Sequence, residues 1–278
     1  MIDMNQRKSG IILVVISAIV FSSAGVFTNG VSTDAWGIIF WRGVAAATFT
    51  LTYLVLRGAF VAEIRAFNKP AFFVTLMMAA GTAAFIPAFK LSSVANVALI
   101  YAAAPFIAAG LSWVFIKELP TTRVILASLA ALLGVFIIVS ASFGDSQLKG
   151  DFLALFMTLM MSATMVVYRK FPSTTAALPA ALSSIVLLPF ALVFGDPFAA
   201  QSHELPILIA FGLVFAVASV TLSEGARRLP SAETALLSTL EMPLAPVLAF
   251  LVLSEGAYYI CDPWRDSHFS SGCLVPKT

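Results

Sequence analysis

ANVALIYAAAPFIAAGLSWVFIKE, residues 95 to 118, returns in looser form as AETALLSTLEMPLAPVLAFLVLSE, residues 232 to 255. Ala95, Ala98, Leu99, Ala108 and Glu118 meet Ala232, Ala235, Leu236, Ala245 and Glu255 at a constant offset of 137. Gly10, Leu13 and Ser22 likewise meet Gly150, Leu153 and Ser162 at an offset of 140. Self-similarity over that distance implies a chain assembled from two copies of one unit.

The unit is apolar. Hydrophobic residues make up 60% of the 278 residues, charged residues only 11%, and the mean hydropathy is +0.98. One water-soluble core cannot hide that much apolar surface, so the chain reads as a polytopic, all-helical membrane bundle. Runs of about 18 or more apolar residues are long enough to cross a bilayer as helices. Nine such runs occur: 10–28, 35–56, 70–89, 94–116, 122–142, 151–168, 175–195, 205–223 and 232–253. Arg7 and Lys8 precede the first run as they would in a secretory signal, but its length and the eight runs that follow favour an uncleaved first helix.

Orientation follows from the loops. With the N-terminus in the cytoplasm, Arg7, Lys8, Arg57, Arg65, Lys69, Lys117, Arg123, Arg169, Lys170, Arg227 and Arg228 lie inside, and only Lys90 and Lys149 outside. Five spans per copy make the second copy enter from the opposite side, which is an inverted-topology repeat. The first repeat covers 1–142, the second 143–255 with four spans, and a polar tail covers 256–278. A tenth span is due after Glu255, yet Asp262, Arg265, Asp266, His268 and Lys277 break the apolar pattern there. A truncated or frameshifted product is therefore an alternative reading.

Ten expected helices in two fives, Phe40-Trp41-Arg42, Pro105 followed by Lys117-Glu118, and Leu240-Glu241-Met242-Pro243 followed by Ser254-Glu255 resemble the EamA branch of the drug/metabolite transporter superfamily. The resemblance runs from Gly10 to Glu255. It implies secondary active transport of small metabolites, amino acids or drug-like solutes among them, through a cavity between the halves, with export the common direction and the plasma membrane the place.

Ionisable side chains within apolar spans are functional candidates by default. Arg42 lies roughly 10 Å along its helix from the outer end. There it would hold a substrate carboxylate, or snorkel as an anchor. Glu241 is placed to carry a coupling proton, or to bond locally to Ser238. Asn96 and Tyr101 occupy positions equivalent to Glu233 and Ser238, near the axis relating the halves. Tyr101 is expected to touch substrate, while Asn96 and Glu233 suit helix ends better. Trp41 beside Arg42 fits an interfacial belt, with a substrate contact as the alternative. Pro105 and Pro243 would act as repeat-related hinges. Glu224 and Arg228 have the spacing of a helix ion pair.

Cys261 and Cys273 lie in the tail, and His203 and His268 outside the spans, so no metal, haem or His-based catalytic site is expected and no cofactor is implied. The chain has no GxxxxGK loop for ATP and no intramembrane Ser–His or zinc motif, which places an intramembrane enzyme far behind a transporter. Expected partners are a small-molecule substrate, the lipid bilayer and a coupling proton. A homodimer is an open option, and nucleic acid is outside the set.

Overall fold

A computed structural model describes residues 4–29, 31–92, 94–118 and 148–241, with positions 122, 126, 129, 133, 137 and 244. Among these residues the chain is helical: α1 (Met4–Ser22), α2 (Ala24–Asn29), α3 (Ala35–Leu56), α4 (Phe60–Ala66), α5 (Lys69–Leu91), α6 (Val94–Tyr101), α7 (Ala104–Ile116), α8 (Leu148–Lys170), α9 (Ala177–Phe194), α10 (Leu205–Ala226) and α11 (Ser231–Ser238), plus a 3-10 turn at Pro197–Ala199. Six segments are long and apolar enough to cross a membrane: Ala35–Leu56, Lys69–Phe89, Leu99–Ile116, Leu148–Lys170, Ala177–Phe194 and Leu205–Ala226. Their outward faces carry large apolar side chains such as Leu56, Val114, Val193 and Phe194, an exposure that suits lipid rather than water. Most of the fifth span and everything from Pro243 onward but Leu244, the tail and the tenth-span position included, lie outside the described residues.

Packing repeats as the sequence does. Helix α5 lies along α8, and their repeat counterparts α10 and α1 lie along each other; α3 packs on its own counterpart α9, and α7 on α11. Close approaches repeat too. A side-chain carbon on Gly150 would meet Leu91 and Ser92, while one on Gly10 would meet Arg228 and Leu229, the equivalent pair in the other half. At Gly212 the helices α10 and α3 come nearer still, with Ala45 Cβ 2.3 Å from where a Cβ would stand. Small residues let helices meet at backbone range in a membrane.

Three expected spans are not continuous. The first turns at Ser23, between α1 and α2. The fourth is interrupted at Ala102 and Ala103, where the Ala103 N–H bonds Ile100 O at 3.1 Å, three residues back instead of four. Pro105 explains the break: it has no N–H for the Tyr101 carbonyl, and its ring crowds that carbonyl. It sits in the first turn of α7, a position that needs no N–H. The second repeat breaks at the matching place, where the Leu240 N–H bonds Leu237 O at 3.2 Å. Both leading segments, α6 and α11, are 8 residues long.

Candidate functional site

A cavity opens between the halves, walled by the first repeat through Phe21, Arg42, Met78 and Phe85 and by the second through Met157, Tyr168, Phe215 and Glu241. The wall is largely aromatic and thioether. Such a surface adapts to varied apolar shapes.

Arg42 enters this cavity from α3 with only 3% of its surface exposed. Its guanidinium carbon stands 4.2 Å from the Phe215 ring centroid and 5.3 Å from that of Phe211, both from α10. Its Nε has no hydrogen-bond partner among the described residues. The snorkelling alternative is not what is seen: the side chain is buried against two rings rather than extended to an aqueous face. Burying an unpaired cation is costly, and stacking on aromatic faces offsets only part of that.

Glu241 lines the same cavity from the first described residue after the α11 break and is buried. The Tyr101 hydroxyl stands close to its carboxylate, so the break of one repeat faces the break of the other. The expected local partner is otherwise engaged, since Ser238 Oγ donates to Thr234 O at 2.9 Å. Tyr101 itself is 1% exposed, packed among Ile100, Ala104 and Met157 behind the cavity wall, and reaches the site through Glu241. Tyr168, unremarked in the sequence, puts a buried hydroxyl without a close partner beside the cavity.

Other expected candidates lie elsewhere. Asn96 is not among the residues walling the cavity; its Nδ2 stands 3.4 Å from both Asp151 oxygens at the start of α8, where Ser92 Oγ also donates to Asp151. Glu233 pairs with Arg7 at 3.0 Å and Glu118 with Arg169 at 3.0 Å. Glu224 meets both Arg227 and Arg228 at 2.8 Å. Trp41 is half-buried and donates its Nε1 to Pro197 O at 2.7 Å, edge-on to Phe40 and near Phe198. That holds the loop before α10 against α3, away from the cavity. Pro243 lies outside the described residues.

One residue that sequence reading passed over joins this loop. Glu204, just before α10, is 4% exposed. It accepts from the Ser32 N–H at 2.6 Å, the Ser32 hydroxyl at 2.8 Å and the Thr33 hydroxyl. These donors, Thr33 Oγ1 first and the Ser32 N–H next, hold its carboxyl down to about 2 against the opposing effect of burial. The neighbouring Asp34 caps α3, accepting from the Trp36 N–H at 3.0 Å. Nothing in the local sequence marks Glu204, because its partners are 171 and 172 residues away.

The EamA-like transporter family matches residues 8–140 and again 148–258. The chain belongs to this family. Among solved structures, one titled "Crystal structure of protein" shares the fold with a TM-score of 0.72 and 17% identity, over 90% of each chain. No curated protein matches the chain. An EamA-like transporter with two matched repeats is thus a membrane protein, and the cavity between its repeats is the candidate site.

Proposed function

We propose that this EamA-like protein is a secondary active transporter of small metabolites, exporting them across the plasma membrane by alternating access, with its N-terminus in the cytoplasm. One observation carries the reading. A cavity between the repeats holds a buried cation, Arg42, and a buried acid, Glu241, next to a pair of repeat-related helix breaks. Broken helices at the midplane free backbone groups and let the two halves move about a fixed site. Arg42 holds the substrate and Glu241 carries the coupling proton, with Tyr101 positioning its carboxyl and Pro105 setting the hinge of the first half. The chemistry is binding and release, so the substrate leaves unaltered.

Purified protein in liposomes tests this. Loaded solutes should leave intact, faster under an imposed pH gradient, and Glu241→Gln should abolish the gradient-dependent part while leaving the protein folded. Proton-dependent flux unchanged in Glu241→Gln removes the coupling role, and a covalently altered solute removes the transporter reading.

A further inference from the structure

The two charged groups of the cavity are in different states of satisfaction. Glu241 faces the Tyr101 hydroxyl, a neutral donor at hand for its carboxyl. Arg42 has neither ion pair nor hydrogen bond among the described residues; it is sandwiched by Phe211 and Phe215, its Nε unpartnered. Aromatic rings satisfy the face of a guanidinium, and the edge, where its N–H groups point, is what a carboxylate takes bidentately. The unmet demand of this cavity is therefore for a single negative charge.

The rest of the wall defines the body of the ligand. Phe21 and Phe85, with Met157, Met161 and Met165 on successive turns of α8, present flat and polarizable surfaces. The wall's hydroxyls, on Thr82, Thr164, Tyr168, Ser219 and Ser223, carry no charge; that of Thr164 donates to Met160 O at 2.9 Å, and that of Tyr168 has no close partner. A ligand ammonium would stand near an uncompensated cation in a medium of low dielectric. A second carboxylate would find no second cation, because Arg42 is the one basic side chain in the wall among the described residues.

We propose that the cavity takes an organic monocarboxylate with an aromatic or similarly flat apolar body, the carboxylate on the edge of Arg42 and the body between the methionines and phenylalanines, an ammonium group adding nothing to binding. This names the substrate class of the transport reading and rests on it for movement, while the binding stands on the cavity alone.

Three probes that share one ring separate the charge classes: 3-phenylpropanoate, phenylalanine and 2-phenylethylamine. Binding to the full chain in nanodiscs should rank 3-phenylpropanoate at least about tenfold tighter than either of the others. Arg42→Met should cost at least tenfold for 3-phenylpropanoate, and Arg42→Lys, which keeps the charge but not the fork, should recover part of it. Equal or tighter binding of phenylalanine or of the amine overturns the proposal, as does no binding of 3-phenylpropanoate. The probe ranking needs no variant, so a misfolded Arg42→Met leaves the proposal open to refutation. Flux from liposomes, read against protein-free liposomes, separates the two claims. Ranked binding without flux removes transport and keeps the monocarboxylate site; phenylalanine flux without 3-phenylpropanoate binding does the reverse.

Discussion

The two ends of the bundle are closed by different physics. At the end bearing residues 31–41 and 195–204, the repeats are joined by the buried Glu204 with Ser32 and the buried Thr33, by Trp41 with Pro197, and by the rings of Phe40 and the exposed Phe198 at 5.8 Å. At the arginine-rich end exposed ion pairs join them, Arg7 with Glu233 and Arg169 with Glu118, whose side chains are 57% and 27%, and 23% and 38%, exposed, beside the buried Ser112–Ser231 hydroxyl pair and the Leu178 N–H to Glu63 at 2.8 Å. A buried donor left without its acceptor costs about 1–3 kcal/mol, whereas an exposed ion pair contributes about 0–1 kcal/mol. Equal repeats have thus produced unequal gates. The ion pairs of the arginine-rich end are the inter-repeat contacts that part at lower cost.

The largest effect should come from a pair of glycines at one repeat position. A Cβ on Gly150 would stand 2.5 Å from backbone atoms of Leu91 and Ser92, which cannot swing aside. On Gly10 it would meet the Arg228 and Leu229 side chains at 3.0 Å, which can give way. Gly150→Ala should therefore destabilise by about 1–3 kcal/mol or more and Gly10→Ala by well under that, measured as melting temperature in one detergent. Equal losses would mean that the two ends are equally tight and that the comparison is wrong.

Next in size is Glu204→Ala, which strands three donors. Melting should fall by an amount equivalent to about 1–3 kcal/mol. With Cys261 and Cys273 replaced by serine and a cysteine placed at Ala24 in the cavity wall, an impermeant thiol reagent added on the Glu204 side should react several times faster in Glu204→Ala. Unchanged labelling would show that Glu204 is no latch. The pH dependence has a definite sign. A carboxyl held at about 2 in the folded protein, against about 4.5 ordinarily, contributes stability that is full above 4.5 and is lost as pH falls toward 2. The difference between wild type and Glu204→Gln should be flat from pH 5.5 to 8 and shrink only in acid.

Much of the plan was legible in sequence because it depends on local pattern. The repeat offset matched the helices of one half with those of the other, and Arg42 and Glu241 stood out as ionisable residues in apolar runs. The helix breaks were not legible in the same way. Tyr101 to Ala104 is as apolar as its surroundings, so hydropathy runs straight through the turn and only Pro105 hints at it. Glu204 was invisible for a different reason: its identity as a latch resides in partners from the other repeat. Asp151, at the start of an apolar run, reads as a solvated boundary residue, yet it is fully buried between Ser92 and Asn96. Charge at the end of a span says little about burial when the loop beside it folds over.

The smallest effect belongs to Arg7→Ala. Its partner Glu233 opens the short helix α11, where a carboxylate already gains from the helix dipole, so losing the arginine leaves Glu233 partly compensated and still near solvent. Stability should change by less than about 1 kcal/mol, and the change should fade as salt rises, since screening acts within about 10 Å at 0.1 M. The same substitution should make a cysteine at Ala24 react faster with reagent on the arginine-rich side, because a weak contact can still bias an opening that is already inexpensive. A fall of several kcal/mol, insensitive to salt, would mean that Arg7 and Glu233 form a buried-type lock, and the asymmetry between the two gates would then be lost.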